Sequence, residues 1–229
     1  IFVGQTEAPI LIRPYIDKMT NSELMAVMTG GFATVAGSVL ALYVLWLSDI
    51  EGIAGHLLTA SIMSAPASLV IAKIIYPETE KLDTSNTFDI DIDIKAENAM
   101  DALGKGATDG LKLAANVGAM LVAFISVISM VNYSLNYFFD INMQEIMGFI
   151  FSPLAWTMGI PWEEAAIVGT LMGEKIVLTE LIAYSNLSEL INSNSISERS
   201  AIITSYALCG FANFGSIGIQ LGGVGGMAP

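Results

Sequence analysis

The sequence contains three long runs without any Asp, Glu, Lys, Arg or His, at residues 24–48, 113–139 and 200–229. A helix that crosses a bilayer needs about 20 consecutive, mostly apolar residues, and each run is long enough. A soluble helix of this length would show a polar face, which these runs do not. Because 54% of the residues are hydrophobic and only 14% are charged, we predict an all-α, polytopic membrane protein in a lipid bilayer.

The net charge of −13 excludes one class of partner. Nucleic-acid binding depends on basic contacts to phosphate, so we expect no nucleic-acid partner. The chain has one cysteine, Cys209, and one histidine, His56, which provide neither an intrachain disulfide nor a cluster of metal ligands. The sequence also lacks a P-loop and a nucleophile–base–acid set, so we predict that it is not an enzyme and uses no cofactor.

The pattern of apolar and polar segments divides the chain into four parts. Residues 1–76 are predicted to hold the second half of a short hairpin, an interrupted helix and a following span. Residues 77–110 are predicted to form an acidic loop and a helix lying at the membrane interface. Residues 111–140 form one long span with an aromatic end. Residues 141–229 are predicted to hold an amphipathic segment, a second hairpin and a second interrupted helix.

Proline and charged residues interrupt the apolar pattern of the last part. Pro153 and Pro161 each lack a backbone N–H, so we expect a break at both positions. Glu174 and Lys175 are neighbours inside an apolar segment, and we interpret them as a local, charge-balanced pair with a structural role. Glu180 lies in the same segment, but we interpret it as part of a site because its surroundings recur elsewhere in the chain.

Two pieces of the chain resemble each other. Each has Thr-Glu in a short apolar segment, at Glu7 and at Glu180, followed by Gly-Phe-Ala, a polar residue and Gly-Ser in the next span. Interrupted apolar segments in corresponding places of two halves point to the binding site of a transporter. A carboxylate near the bilayer centre costs at least about 2.5–3.5 kcal/mol on insertion scales, so we expect both to face a polar site. The alternative is that both hairpins end at the membrane surface, where water solvates the carboxylates.

Five segments carry a family resemblance: GQTEAP at residues 4–9, MTGGFATVAGS at 28–38, SAPASL at 64–69, PLAW at 153–156 and CGFANFGSIG at 209–218. They resemble signature segments of the concentrative nucleoside transporter family. The resemblance implies a homotrimer in the plasma membrane, with re-entrant helical hairpins and discontinuous transmembrane helices in an inverted-repeat fold. It implies elevator-type movement of a transport part against a scaffold. It also implies that the early helices and the final helix of such a protein are not in this chain.

The resemblance further implies where a nucleobase binds. Polar side chains suit the edge of a base, and an aliphatic or aromatic wall suits its faces. The residues implied to line the edge, with a glycine leaving room for the base, are Gly4, Gln5, Thr6 and Glu7. The residues implied to pack against the faces are Val39, Leu111 and Phe211.

The ribose is assigned by the same resemblance to Glu180, Asn213 and Ser216, which would hydrogen-bond its hydroxyl groups. Paired acceptors such as a carboxylate and an amide suit vicinal hydroxyls. The hairpin departs from the family at this point, because the family reads Asn-Glu-Phe where this chain has Thr179, Glu180 and Leu181. How the tip of the hairpin is braced is therefore an open question at the level of sequence.

A Na⁺ site is implied at the carbonyl groups of Val3, Thr34 and Val35 and at the hydroxyl of Thr34. Oxygen ligands are those that hard cations prefer. These residues would bind the coupling ion of a nucleoside symporter. The alternatives are an H⁺-coupled nucleoside or nucleobase transporter, a channel, and a non-transporting sensor on the same fold.

Overall fold

The computed structural model describes residues 4–5, 12, 15–16, 19–80 and 97–223. Every regular element in these residues is a helix, which confirms the all-α prediction. The helices are α1 (Asn21–Ala33), α2 (Gly37–Trp46), α3 (Ile53–Ile75), α4 (Ala99–Phe139), α5 (Met143–Thr157), α6 (Trp162–Val177), α7 (Glu180–Asn192), α8 (Glu198–Leu208) and α9 (Phe214–Gly223). Within the described residues, three stretches are long and apolar enough to cross a membrane: Asn21–Trp46, Ile53–Ile75 and Ala99–Phe139.

The predicted interruption of the first helix is confirmed. α1 begins at a capping box in which Thr20 and Glu23 each accept the other's backbone N–H, a common start signal for a helix. It ends at Ala33, because Thr34 adopts an extended conformation with φ −104° and ψ 161°. The chain becomes helical again at Gly37, where α2 begins.

The second interrupted helix is also confirmed. α8 begins after Ser197, whose side chain accepts a hydrogen bond from the backbone N–H of Ser200, and it ends at Leu208. Gly210 follows with a φ of +101°, a left-handed conformation that glycine adopts without steric cost. α9 begins only at Phe214.

Helices α6 and α7 form a helical hairpin whose turn contains Leu178 and Thr179. Thr179 caps α7, because its hydroxyl oxygen accepts the backbone N–H of Ile182 at 3.4 Å. This explains how threonine replaces the family's asparagine, since both residue types serve as helix N-caps. The structure has the hairpin itself, and its re-entrant placement in a membrane stays a prediction.

Two boundaries predicted from the sequence are wrong. α4 is one unbroken helix, so the predicted interfacial helix ending at residue 110 and the following span are a single element; the interfacial position of its first turns stays a prediction. Pro153 lies inside α5 instead of ending it. Helices of membrane proteins can contain proline where a neighbouring helix packs closely against them, and here a Cβ atom added to Gly169 on α6 would lie 2.5 Å from the carbonyl oxygen of Gly148 on α5. Pro161 does separate α5 from α6, as predicted.

The buried core joins the hairpin to both interrupted helices. Tyr43 on α2 stacks on Tyr184 on α7, with ring centroids 4.0 Å apart. The hydroxyl of Tyr184 donates to the carbonyl of Ser205 on α8 at 2.6 Å. Both tyrosines belong to one apolar cluster with residues of α3 and α6, so the tip of the hairpin has a fixed position relative to both breaks.

Candidate functional site

The breaks in the two interrupted helices lie against each other. A Cβ atom added to Gly210 would lie 2.8 Å from the carbonyl oxygens of both Phe32 and Ala33. These carbonyls belong to the last turn of α1, so the chain at the second break touches the end of the first half-helix. Backbone groups that leave a helix ladder at both breaks are therefore concentrated in one place.

Glu180, at the tip of the hairpin, reaches this meeting point. The residue is 5% exposed. One carboxylate oxygen accepts the Tyr43 hydroxyl at 3.4 Å, and the other accepts the Asn213 amide at 2.9 Å. Glu180 therefore lies between a half of the first interrupted helix and the break of the second, as expected of a carboxylate at a polar site and not of one in bulk water.

A continuous chain of hydrogen bonds extends from Glu180 to the first part of the molecule. The side-chain oxygen of Asn213 accepts the backbone N–H of Ser216 at 2.7 Å. The hydroxyl of Ser216 in turn accepts the side-chain amide of Gln5 at 3.0 Å. The structure thus brings together four of the predicted binding residues, all of them buried.

Gln220 belongs to the same place, and the sequence analysis missed it. It lies one turn after Ser216 on α9, and its side-chain nitrogen would be 2.7 Å from a Cβ atom added to Gly31. The side-chain oxygens of Gln5 and Gln220 are buried and have no hydrogen-bond partner among the described residues. A polar residue inside the charge-free run at residues 200–229 is the signal that points to it.

The residues predicted to pack against a base are placed differently from one another. Val39 and Phe211 are half-buried and pack against the core cluster. Leu111 is 73% exposed on α4, so the structure gives its assignment no support and it stays a prediction. Gly4 is buried beside Gln5. Three predicted residues lie outside the described residues: Val3, Thr6 and Glu7.

The predicted Na⁺ ligands that the structure describes lie at the first break. The amide and the hydroxyl of Thr34 both donate to the carbonyl of Gly30, at 3.3 and 3.0 Å. The hydroxyl oxygen keeps its own lone pairs for a cation. Val35 is 1% exposed. Among the described residues there is no cluster of three or more His, Cys, Asp or Glu side chains that could hold a metal ion, so an ion here would depend on carbonyl and hydroxyl oxygens.

The prediction that Glu174 and Lys175 form a local pair is wrong. Adjacent residues on a helix point in different directions. The carboxylate of Glu174 accepts the side-chain amide of Asn186 at 2.8 Å. The ammonium group of Lys175 donates to the carbonyl oxygens of Ala207 and Cys209, at 3.0 and 3.1 Å. Lys175 is therefore part of the second break, a role for which adjacent charges in the sequence gave no signal.

A buried polar chain where two interrupted helices meet a hairpin, inside a helical protein with membrane-length apolar stretches, defines a multi-pass membrane transporter. The chain belongs to the family of Na⁺ dependent nucleoside transporters, since residues 56–229 match the family described as "Na+ dependent nucleoside transporter C-terminus". This membership confirms the resemblance inferred from the sequence motifs. The family and the structural neighbours are transporters and not enzymes, which agrees with the prediction.

Several relatives match the whole of this chain. It is 48% identical to "Uncharacterized transporter YutK" of Bacillus subtilis, of which it covers 57%. It is 40% identical to "Sodium/nucleoside cotransporter 1" of Sus scrofa and covers 38% of that protein. It is 42% identical to "Solute carrier family 28 member 3" of Homo sapiens and covers 36% of it. The chain thus spans little more than half the length of its bacterial relative.

Solved structures of a transporter named CNTnw have the same fold. The chain is 45% identical to CNTnw in an inward-facing, substrate-bound state, with a TM-score of 0.76 over 100% of this chain and 55% of that one. For a variant of CNTnw in an outward-facing state, the identity is 44% and the TM-score is 0.83, again over 100% of this chain and 55% of that one. The fold described here is therefore found in a transporter that has been captured facing both sides.

Proposed function

We propose that the protein to which this chain belongs carries nucleosides across the plasma membrane by symport with Na⁺. The observation that carries the proposal is the buried chain of hydrogen bonds from Glu180 through Asn213 and Ser216 to Gln5. It crosses from the hairpin to the second break and on to the first part of the molecule. A polar solute bound along it would touch every element that has to move for the site to open. We therefore propose an elevator-type, alternating-access cycle.

The chemistry of this chain suits a sugar with two neighbouring hydroxyl groups. A carboxylate such as that of Glu180 only accepts hydrogen bonds, whereas the Asn213 amide both donates and accepts. Vicinal hydroxyls can donate to the first residue and exchange hydrogen bonds with the second. The side-chain oxygen of Gln5, which has no partner among the described residues, would then accept an N–H group from a base. The faces of the base would pack against Val39 and Phe211.

The first break supports the proposed Na⁺ site. The backbone of Thr34, Val35 and Ala36 is not helical, so the carbonyls of Thr34 and Val35 stand outside the regular bonding of either half-helix. In a membrane such groups need another partner. A Na⁺ ion held by the proposed carbonyls of Val3, Thr34 and Val35 and by the Thr34 hydroxyl would lie at the end of α1, which touches the second break at Gly210. Loss of the ion would then loosen the substrate site, which is the coupling that symport requires.

The homotrimer is the part of the proposal that depends most on the family resemblance. The single chain leaves large apolar side chains of α4 exposed, including Val122, Met130 and Tyr137. Lipid or a neighbouring copy can cover such a surface. Native mass spectrometry of the full-length protein in detergent should give a mass of three copies, and a monomer would contradict this part.

The central test is uridine uptake by the full-length protein in proteoliposomes with an inward Na⁺ gradient. Glu180→Gln removes a charged acceptor, so uridine should bind about 10- to 100-fold more weakly, as expected for the loss of a hydrogen bond to a charged group. Uptake at low uridine concentration should fall accordingly. Glu189→Gln is the matched control, because Glu189 is exposed on the same helix. It should leave uptake unchanged. Equal uptake by both variants would contradict the assignment of Glu180.

Competition and ion replacement separate the alternatives. If uracil competes as well as uridine, or if 2′,3′-dideoxyuridine does, the ribose assignments are wrong. Uptake that follows a pH gradient and ignores Na⁺ would make the protein an H⁺-coupled transporter. Uptake that never exceeds the equilibrium concentration would indicate a channel. Uridine binding without any uptake would indicate a sensor.

A further inference from the structure

Lys175 is a buried cation that the proposed site does not use. It lies on α6, its residue is 9% exposed, and its ammonium group donates to the carbonyl oxygens of Ala207 and Cys209 at 3.0 and 3.1 Å. Ala207 is in the last turn of α8, and Cys209 is the residue that follows the helix. A side chain from the hairpin thus caps the end of the first half of the second interrupted helix.

The position of this ammonium group is that of a bound cation. The last carbonyls of a helix have no partner within the helix, and the helix dipole adds partial negative charge at the same end. Carbonyl oxygens at the ends of half-helices are groups that coordinate Na⁺ in transporters. At the second break, a tethered positive charge already occupies such oxygens.

The first break is arranged differently. There the donors to the end of the half-helix come from Thr34, whose amide and hydroxyl both bond the one carbonyl of Gly30. These donors bring no positive charge. The two breaks touch each other at Gly210 and Ala33, so two free cations bound there would repel each other across a short distance.

We propose that Lys175 is a built-in cation that occupies, at the second break, the carbonyl site that a free alkali cation would otherwise take. The breaks together then bind a single mobile ion, at the first break. This inference rests on the proposed Na⁺-coupled function. Lys175 also brings positive charge to the hairpin that holds Glu180, so the second break and the carboxylate are balanced without an ion. Lys175 is a positioning residue and does not touch the substrate.

The test compares Lys175→Met with wild type in the full-length protein, with uridine uptake measured as a function of Na⁺ concentration. Methionine keeps most of the apolar side chain and removes the ammonium group, which leaves the carbonyls of Ala207 and Cys209 for a second Na⁺. The Hill coefficient for Na⁺ should rise from about 1 in wild type to about 2 in the variant. Glu174→Gln, at the neighbouring residue whose side chain bonds Asn186, is the matched control and should keep the wild-type value, as should Lys175→Arg.

A Hill coefficient that stays near that of wild type in a folded, active Lys175→Met variant would overturn the proposal. If this variant does not fold in ordinary buffer, Lys175→Ala is purified in a high concentration of NaCl or of methylammonium chloride. Recovery of a monodisperse protein by these small cations, but not by tetramethylammonium, supports a vacated cation site. Failure of recovery with every cation overturns it.

The two proposals fail in different ways. Wild-type uptake that does not depend on Na⁺ contradicts the proposed coupling. The role of Lys175 is still supported if Na⁺ changes uridine uptake only in Lys175→Met. It is also supported if Na⁺ raises the Tm of this variant alone in a thermal-shift assay. If Na⁺ stabilises the wild type and Lys175→Met equally, with the same slope against Na⁺ concentration, Lys175 does not occupy an ion site.

Discussion

The two interrupted helices begin in the same way and break in different ways. Each starts at an N-cap residue whose hydroxyl also donates to a distant carboxylate. The hydroxyl of Thr20 donates to Glu78, which follows α3, at 2.7 Å, and that of Ser197 donates to Glu164, in α6, at 2.9 Å. At the breaks this likeness ends. Lys175, from another helix, caps the end of α8, whereas the donors at the end of α1 belong to Thr34, the residue that follows it. Similar sequence motifs can therefore lead to one break whose carbonyls are bonded by a lysine and to another whose carbonyls are available to the proposed ion.

The largest expected effect comes from the point where the two breaks touch. Gly210→Ala would place a methyl group 2.8 Å from two carbonyl oxygens of α1, and backbone oxygens cannot move aside as a flexible side chain can. Overpacking of this kind costs about 1–3 kcal/mol, and a left-handed non-glycine residue costs about 1–2 kcal/mol more. We expect the variant to lose uridine uptake and to have a clearly lower Tm.

Gly52→Ala separates the two causes. Gly52 has a φ of +70°, but a Cβ atom there would meet nothing within 4 Å. This control therefore carries the backbone strain without the contact between the breaks, and it should keep its uptake with only a modest decrease in Tm. If both variants lose the same stability and activity, the contact at Gly210 is unimportant, and the two breaks do not act together.

The sequence was sufficient for the elements whose signals are local. The charge-free runs at residues 24–48 and 113–139 predicted two of the three membrane-length stretches. The run at 200–229 instead holds most of the second interrupted helix, and glycines in the first and last of these runs marked both breaks. Glu180, Asn213 and Ser216 lie in a motif that occurs twice in the chain, and the family resemblance assigned them to the ribose. The structure joins them in one hydrogen-bonded chain. Backbone groups at an interruption inside a span need polar partners in hydrocarbon. A glycine-containing break in an apolar run therefore predicts a polar site beside it.

The contacts between distant segments could not be predicted in this way. Lys175 bonds carbonyls more than thirty residues away, and a backbone carbonyl has no mark in the sequence. Gln220 faces Gly31 across the two interrupted helices, so only the packing of one against the other reveals it. The unbroken course of α4 was missed for a related reason, because its polar start suggested a separate interfacial helix, whereas a helix can continue from water into the membrane.

A smaller effect is expected at the first break itself. Thr34→Val keeps the shape of the side chain and removes its hydroxyl, one of the proposed Na⁺ ligands. The Na⁺ concentration for half-maximal uridine uptake should rise about tenfold, which corresponds to about 1.4 kcal/mol. Thr29→Val is the matched control, since the Thr29 hydroxyl donates to the carbonyl of Met25 at 2.7 Å in the same helix. An equal shift in both variants would show that the helix, and not the ion, is affected.

The smallest effect is expected at the start of the first interrupted helix. The hydrogen bond from the Thr20 hydroxyl lowers the pKa of Glu78 below its ordinary value. A carboxylate with a lowered pKa stabilises the folded state above its unfolded pKa, and this contribution is lost as the pH falls through the folded pKa. Glu78→Gln should therefore lower the Tm at pH 7 by no more than about 2 °C, because exposed pairs contribute little.

The difference between Glu78→Gln and wild type should disappear as the pH is lowered below the pKa of Glu78, where the wild-type carboxyl is also neutral. Thermal melts of the full-length protein from neutral to acidic pH measure this, and Glu51→Gln, at an exposed carboxylate between α2 and α3, is the control. A Tm difference that does not change with pH would mean that the charge of Glu78 is irrelevant to the start of α1. The two interrupted helices would then share the geometry of their N-caps, but the negative charge of the carboxylate would not be the reason for it at α1.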